Sequence, residues 1–333
     1  MKQKKIGIVG AGSFGIALAH LLSENGHQVT VWTRSETHVA SLTAAHGNPE
    51  KLPGVVLPET VGFTSHMEDT VRDADVVVMV VPSIHVRETA HLMKPYLNEH
   101  ALIVDCAKGI EEASLMPLSG VIAEELADRD PRIVVLSGPS HAEEVGRDMP
   151  TAIVAASEDT EAALLVQEIF MSPAFRVYTG GDMRGVELGG ALKNVIALAA
   201  GVADGLGYGD NTKAAMITRG IAEITRLGVA MGAQAETFSG LTGIGDLIVT
   251  CASMHSRNRR AGILIGQGKT PEEACDEVKM VVEGIHSAKA ACLLARKYEV
   301  EMPIIMAVNQ VLFEGKKAAD AVAELMVRDR KAE

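Results

Sequence analysis

The feature that most constrains this chain is a glycine-rich turn near its N-terminus. The run Lys5–Val9 has the apolar character of a buried strand and leads directly into GAGSFG (Gly10–Gly15), which a helix pattern and a second strand follow. A GxGxxG motif alone is weak evidence, but one between a strand and a helix opens a βαβ unit. Gly10 permits a tight turn, Gly12 lets backbone approach a pyrophosphate, and Gly15 allows close helix–strand packing. We therefore expect a dinucleotide site here.

The first half of the chain alternates short apolar runs with helix-like segments, a pattern typical of a doubly wound, mostly parallel sheet. Beyond Asp182 the runs are long, rich in Ala and Leu, and separated by short glycine-containing turns, which predicts an all-α domain. We place a Rossmann-type NAD(P)-binding domain at 1–181 and a helical substrate-binding and catalytic domain at 182–333, with Asp182 as a helix N-cap. The predicted strands are Lys5–Val9, Gln28–Trp32, Val76–Val81, Leu102–Asp105, Ile133–Leu136, Thr151–Ala155 and Arg176–Tyr178.

Charge and composition narrow the class of protein. The formal net charge of −12 argues against nonspecific nucleic-acid binding, which depends on basic surfaces. The N-terminal lysines and the apolar run after them imitate a signal peptide, but glycines break the run, and no later stretch offers the roughly 18 uninterrupted apolar residues of a membrane span. The four cysteines form no CxxC pair and no metal-like spacing, so we expect free thiols in the cytoplasm and no metal.

The end of the second predicted strand bears on which dinucleotide is bound. NAD-selective enzymes usually carry Asp or Glu about 20 residues after the glycines, whereas this chain has Trp32-Thr33-Arg34-Ser35. Arg34 would suit the 2′-phosphate of NADP(H). A solvated Arg34, with Glu36 in the NAD-type role, is the alternative. We expect NADP(H) to be preferred or shared with NAD(H).

A lysine stands within an otherwise apolar helix pattern. Leu188–Ala203 reads LGGALKNVIALAAGVA, and its polar side chains are Lys193 and Asn194. A charged lysine there costs several kcal/mol unless it is paired or neutral. Burial lowers the pKa of an ammonium, which suits it to acid–base catalysis near neutrality. The alternative for an isolated case is a lysine whose amine reaches the domain surface.

Other segments supply partners for this lysine and for an anion. Asp246 is the only charged residue from Gly240 to Ala252, so a buried carboxylate paired with Lys193 is expected. Shortly afterwards HSRN (His255–Asn258) opens a helix with the hydroxyl, guanidinium and amide groups that bind phosphate, although plain helix capping would also explain Ser256. Lys108 follows a predicted strand at the edge where ligands of such sheets collect, or is a solvated loop lysine.

Six blocks together resemble the bacterial NAD(P)-dependent sn-glycerol-3-phosphate dehydrogenases over essentially the whole chain. The resemblance implies reversible reduction of dihydroxyacetone phosphate for glycerophospholipid synthesis, a 6-phosphogluconate-dehydrogenase-type helical domain and a homodimer. Many members of that family have Trp where this chain has Phe14, a change that we expect to be tolerated. The blocks are GAGSFG (Gly10–Gly15), SGPSHAEEV (Ser137–Val145), GGALKNVIALAAG (Gly189–Gly201), GLTGIGDLIVTC (Gly240–Cys251), HSRN (His255–Asn258) and KMVVEG (Lys279–Gly284).

The resemblance also implies roles for individual residues. Lys193 is implied as the proton donor and acceptor, supported by Asn194 and Thr250. The implied contacts of glycerol phosphate are Lys108, Gly138, Ser140, Asp246, Ser256, Arg257 and Asn258. The implied contacts of the nucleotide are Ser13, Phe14, Arg34, Lys108, Ala142, Arg257, Val281 and Glu283.

Two other functions stay open at this point. A β-hydroxyacid dehydrogenase of the same two-domain build also uses a helix lysine. It binds a carboxylate, however, whereas the groups of the HSRN segment suit a phosphate. A non-catalytic NAD(P)H sensor would need the glycine turn but not Lys193, Asp246 and Arg257 together.

Overall fold

The computed structural model describes residues 2–328, which divide into two compact units. The first contains the chain up to Lys108 together with Pro117–Val186, and the second contains Gly109–Met116 together with the chain from Glu187 onward. The division therefore falls five residues after the predicted boundary, and a short segment of the first half packs with the second unit. Because the division lies inside a continuous helix, it leaves no turn signal, and the predicted boundary instead follows the Gly180-Gly181 pair.

An eight-stranded sheet forms the centre of the first unit. β7 runs antiparallel to β6, while every other neighbouring pair of strands is parallel. The strand order reverses between β1 and β4, and at such a point open α/β sheets bind ligands beyond the carboxyl ends of the strands. In spatial order the strands are β3 (Gly62–Thr64), β2 (Gln28–Trp32), β1 (Lys5–Val9), β4 (Val76–Met79), β5 (Leu102–Asp105), β6 (Arg132–Ser137), β7 (Thr151–Ala156) and β8 (Phe175–Gly180).

The central strands are continuous apolar runs because helices cover both faces of the sheet. All four residues of β4 and of β5 are buried. Neither strand therefore alternates apolar and polar residues. The first unit contains the helices α1 (Ser13–Glu24), α2 (Glu36–Ala45), α3 (Met67–Val71), α4 (Val86–Met93), α5 (Leu118–Glu125), α6 (Ala142–Val145) and α7 (Thr160–Phe170).

Helix α8 (Met183–Gly205) is the central helix of the second unit. The Asp182 carboxylate accepts a hydrogen bond from the backbone N–H of Gly185 at 2.9 Å, so the predicted N-cap is confirmed. The helices that follow are α9 (Asp210–Ala230), α10 (Ala235–Phe238), α11 (Asp246–Ala252), α12 (Arg257–Gly266), α13 (Pro271–Val278), α14 (Glu283–Lys297), α15 (Pro303–Phe313) and α16 (Ala318–Met326). The fold class is confirmed: a mostly parallel α/β sheet and a helical C-terminal part.

Among the described residues, α8 alone is both long and apolar enough to qualify as a membrane span. However, 94% of its 18-residue apolar window is buried inside the protein. A helix buried in the core of a protein passes the same test of length and composition as a membrane span.

A buried glutamate joins two helices of the second unit. Glu223 on α9 accepts hydrogen bonds from the backbone N–H groups of Ile304 at 2.9 Å and Ile305 at 3.3 Å, at the start of α15. Burial raises the pKa of the Glu223 carboxyl from 4.5 to about 7, against the opposing effect of the two N–H donors. Folding therefore favours the protonated form, and this contribution to stability is complete below about pH 4.5 and is lost as the pH rises through 7.

Replacing Glu223 with a side chain that does not titrate should remove this pH dependence. Relative to the wild type, Glu223→Gln should gain free energy of unfolding as the pH rises from 4.5 to 7, by up to about 1.4 kcal/mol per pH unit. Urea unfolding at pH 5, 6, 7 and 8 measures the difference, and Glu236→Gln at an exposed position is the matched control. A wild type–variant difference that stays constant across this range would contradict the assignment.

Candidate active site

The three glycines of the first turn have the geometry that their spacing predicts. Gly10 has φ +126°, and a Cβ at that position would lie 2.7 Å from the carbonyl oxygen of Val80. A Cβ on Gly15 would lie 2.0 Å from the carbonyl oxygen of Gly10, whereas one on Gly12 would meet nothing within 4 Å. The open space at Gly12 and the N-terminus of α1 at Ser13 are what a pyrophosphate requires, so the turn fits a dinucleotide.

The other predicted nucleotide contacts near this turn also have contacts within the first unit. The Ser13 hydroxyl donates to the carbonyl oxygen of Lys51 at 2.7 Å, and Phe14 packs against the apolar core of the unit. Arg34 follows β2 and forms an ion pair with Glu88 at 3.0 Å. Because both side chains are more than half exposed, this pair is weak and can open for another anion.

The segments after β5 and β6 meet each other. The amine of Lys108 donates to the carbonyl oxygen of Gly138 at 3.0 Å, and the hydroxyl of Ser140 donates to the same oxygen at 3.0 Å. Gly138 has φ +145°, a conformation that favours glycine. Lys108 is therefore held at the carboxyl edge of the sheet, and Ala142 begins α6 nearby in the sequence.

In the second unit, Lys193 forms the buried ion pair that the sequence predicts. Its Nζ donates to Oδ1 of Asp246 at 2.5 Å and to the hydroxyl oxygen of Thr250 at 2.7 Å. The Thr250 hydroxyl in turn donates to the backbone carbonyl of Asp246 at 2.6 Å. Lys193 is 6% exposed and Asp246 is 1% exposed. An ammonium and a carboxylate thus face each other away from bulk water, an arrangement suited to proton transfer.

A π-helical turn at Leu241–Gly245 sets the start of α11, where Asp246 stands. Such turns are rare and occur frequently at functional sites. A Cβ on Gly243 would lie 2.0 Å from the carbonyl oxygen of Phe238, and one on Gly189 of α8 would lie 2.4 Å from the carbonyl oxygen of Thr242. Gly243 therefore lets the π-turn fold back onto the end of α10, and Gly189 lets the π-turn approach the backbone of α8.

The predicted amides form a second buried chain of hydrogen bonds. The Asn258 side-chain amide donates to the Asn194 oxygen at 2.9 Å, and the Asn258 oxygen accepts from the backbone N–H of Gly284 at 2.8 Å. A Cβ on Gly284 would lie 2.5 Å from the carbonyl oxygen of Asn194. The first turn of α14, which begins at Glu283, is thereby tied to α8 and α12, and Val281 lies two residues before this helix.

The HSRN segment opens a helix as predicted, and one of its residues caps that helix. The Ser256 hydroxyl oxygen accepts from the backbone N–H of Arg259 at 3.2 Å, so Ser256 is the N-cap of α12. Arg257 is the first residue of that helix. Arg259 forms an ion pair with Asp204.

Sequence reasoning missed Asp204, which joins α8 to α12 through Arg259. It directly follows the apolar run of α8, at a helix end where a charged residue usually faces solvent, so its pairing left no signal in the sequence. Each unit thus brings its own predicted residues together: Lys108, Gly138 and Ser140 in the first, and Lys193, Asn194, Asp246, Thr250 and Asn258 in the second.

Comparison with known proteins covers nearly the whole chain. The family described as NAD-dependent glycerol-3-phosphate dehydrogenase N-terminus matches residues 5–163, and the family described as NAD-dependent glycerol-3-phosphate dehydrogenase C-terminus matches residues 182–323. The chain is 57% identical to glycerol-3-phosphate dehydrogenase [NAD(P)+] of Fusobacterium nucleatum, over 99% of its own length and 98% of that relative. It is 58% identical to the enzyme of the same name from Agathobacter rectalis, with the same coverage.

Solved structures agree with these relatives. The crystal structure of glycerol-3-phosphate dehydrogenase from Coxiella burnetii superposes with a TM-score of 0.94 at 37% identity, covering 98% of this chain and 99% of the other. A 3-hydroxyisobutyrate dehydrogenase from Salmonella typhimurium gives a TM-score of 0.52 at 17% identity, covering 92% of each chain. The second likeness is to the fold alone.

Two single-methyl substitutions should separate the nucleotide role of the turn from its packing role. Gly12→Ala should cost at most about 1 kcal/mol of stability, because its Cβ meets no atom, yet weaken nucleotide binding at least about tenfold by blocking close backbone approach. Gly15→Ala should lower the free energy of unfolding by about 1–3 kcal/mol, since its Cβ would overlap the Gly10 carbonyl. Chemical unfolding and titration of NADPH fluorescence measure the two effects. Normal nucleotide affinity in Gly12→Ala would be the contrary result.

Proposed function

Because the chain belongs to the NAD-dependent glycerol-3-phosphate dehydrogenase family, we propose that Lys193 is the proton donor and acceptor in its interconversion of dihydroxyacetone phosphate and sn-glycerol 3-phosphate. The observation that carries the proposal is the buried contact of Lys193 with Asp246 and Thr250. Removing two charges from water costs several kcal/mol per ion. Stability alone gives no reason to keep such a pair in an apolar helix bundle.

In the direction of reduction, NAD(P)H supplies the hydride for the ketone carbon of dihydroxyacetone phosphate. Negative charge builds on the carbonyl oxygen, and the Lys193 ammonium donates a proton to it. Asp246 and Thr250 hold Nζ in a fixed position, so the proton donor does not have to reorganise during the reaction. In the direction of oxidation the same amine accepts the proton of the hydroxyl group.

The remaining site residues are proposed to bind the substrate and to orient it. Arg257 and the first turn of α12 are proposed to hold the substrate phosphate, because a guanidinium and free helix N–H groups bind phosphate strongly. Asn194 and Asn258 share one hydrogen-bonded chain, which fixes the orientation of their side-chain amides. The proposed substrate contacts are Lys108, Gly138, Ser140, Lys193, Asn194, Asp246, Thr250, Ser256, Arg257 and Asn258.

The nucleotide is bound by the glycine turn and by groups beyond the strand ends. Gly10, Gly12 and Gly15 shape the turn, and Arg34 is proposed to bind the 2′-phosphate of NADPH, in competition with its partner Glu88. Further proposed contacts of the nucleotide are Ser13, Phe14, Lys108, Ala142, Arg257, Val281 and Glu283.

The cellular setting completes the proposal. We place the enzyme in the cytoplasm as a homodimer that supplies sn-glycerol 3-phosphate for glycerophospholipid synthesis. All four cysteines lie within the described residues and are free, which suits a reducing compartment. Membership of the family argues against a β-hydroxyacid dehydrogenase and against a non-catalytic sensor, the two functions that the sequence left open.

Lys193→Ala tests the proton-transfer role. It should lower kcat with dihydroxyacetone phosphate at least about 100-fold, the usual scale for a general acid, and leave nucleotide affinity nearly unchanged. Oxidation of NADPH at 340 nm gives kcat, and fluorescence titration gives the affinity. A near-normal kcat in the folded variant would remove Lys193 from this role.

Arg34→Gln and Glu88→Gln test the choice of nucleotide. Losing the guanidinium should raise the KM for NADPH about tenfold and leave the KM for NADH within about twofold, because only NADPH carries the 2′-phosphate. Glu88→Gln should lower the KM for NADPH about twofold, since a surface ion pair competes only weakly. Assays of each variant with NADPH and with NADH measure the two KM values. An equal change for NADPH and NADH would contradict recognition of the 2′-phosphate.

A further inference from the structure

Arg259 stands in the first turn of the helix that carries Arg257 and Asn258, but its own side chain turns to another helix. Its Nε and one terminal nitrogen both lie 2.8 Å from Oδ2 of Asp204, the residue before the last of α8. Both side chains are at most 15% exposed. A guanidinium that donates twice to one carboxylate is fixed in direction as well as in position.

The same side chain reaches a third element. The other terminal nitrogen of Arg259 donates to the carbonyl oxygen of Ala252 at 2.7 Å, the last residue of α11. Its backbone N–H donates to the Ser256 hydroxyl oxygen at 3.2 Å. One arginine therefore joins α8, α11 and α12, which carry Lys193, Asp246 with Thr250, and Arg257 with Asn258 respectively.

The helices α8 and α12 also touch through facing glycines. A Cβ on Gly201 would lie 2.1 Å from the carbonyl oxygen of Arg259, and one on Gly262 would lie 2.1 Å from that of Leu198. Gly205 and Gly266 repeat this pattern one turn later, at 2.2 Å from Ile263 and 2.3 Å from Val202. Such contacts set how close the two backbones come.

Glycine contacts fix the spacing of two helices more firmly than their relative position along the axis. Backbone surfaces without side chains offer no directional group to stop a small slide. The ion pair of Asp204 and Arg259 is directional, and Arg259 stands two residues after Arg257. Together with the hydrogen bond between Asn258 and Asn194, it supplies the constraint that the glycines lack.

We propose that Asp204 and Arg259 are positioning residues that hold the first turn of α12 in register with α8 and so set the affinity for the substrate phosphate. The inference rests on the proposed role of Arg257 and Asn258 in phosphate binding. Neither Asp204 nor Arg259 is proposed to touch the substrate. They act by keeping the phosphate-binding turn at a fixed distance from Lys193.

The chain offers a matched control. Lys213 on α9 forms an ion pair with the other oxygen of Asp204, at 2.9 Å. Lys213→Gln removes a partner of the same carboxylate without releasing α12. Asp204→Asn removes the negative charge of the acceptor, and Arg259→Lys removes the two-point donor while keeping the positive charge.

The test compares phosphorylated and unphosphorylated substrate in the full-length enzyme. Asp204→Asn and Arg259→Lys should each raise the KM for dihydroxyacetone phosphate about tenfold, with kcat within about threefold, since they weaken binding that ground state and transition state share. Their kcat/KM with dihydroxyacetone should stay within about twofold. Lys213→Gln should keep a normal KM for both. The double variant should be no worse than the poorer single variant, because the two residues act as one unit.

Three results would overturn the inference. They are a normal KM for dihydroxyacetone phosphate in folded Asp204→Asn, an equal loss with both substrates, and the same loss in Lys213→Gln. If Asp204→Asn does not fold, Arg259→Lys, which retains a cation, decides alone. Failure of the wild type to turn over dihydroxyacetone phosphate would instead refute the proposed function, so the two failures are distinguishable.

Discussion

The contact between Lys193 and Asp246 is the constraint on which the helical unit depends. An ammonium and a carboxylate that are 6% and 1% exposed have lost most of their hydration, and their mutual attraction offsets this cost only if further hydrogen bonds satisfy them. The Thr250 hydroxyl supplies one of these bonds. The pair must therefore keep its geometry, so the helices α8 and α11 that carry it have little freedom in how they pack.

Helix α8 meets those requirements by allowing other backbones to approach closely. Gly189 admits the π-turn that leads to Asp246, and Gly201 admits the start of α12. Where α8 has a side chain instead of a glycine, the glycine is on the partner, as with Gly284 against Asn194. Close approach leaves no room for water between the helices, and polar groups therefore have to pair with each other. The chain from Asn194 through Asn258 to the backbone of α14 is the result.

The sequence predicted what is local or enforced by periodicity. The strands β1, β2 and β5 begin and end at the predicted residues, because apolar runs bounded by turns are unambiguous. It missed β3, which has three residues at the edge of the sheet and no apolar run, and it gave no direction for β7. Lys193 and Asp246 were predictable as a pair since each is the lone charge in its segment. Asp204 and Arg259 were not, because charges at helix ends usually face solvent and a contact 55 residues apart leaves no periodic signal.

Charge pairing explains how a chain with a net charge of −12 can serve an anionic substrate. Several cations at or near the proposed sites have a carboxylate partner: Lys193 has Asp246, Arg259 has Asp204, and Arg34 has Glu88. A cation that is already paired attracts a distant anion less, so the pairs contribute little to long-range attraction. The little-exposed pairs of Lys193 and Arg259 do fix the direction of these side chains before the ligand arrives, which lowers the cost of ordering the site. In their proposed roles, the exposed Arg34 pair exchanges one anion for another, and the buried Lys193 pair keeps its partner while a proton moves. The difference in burial between the two pairs is the one that these proposed roles require.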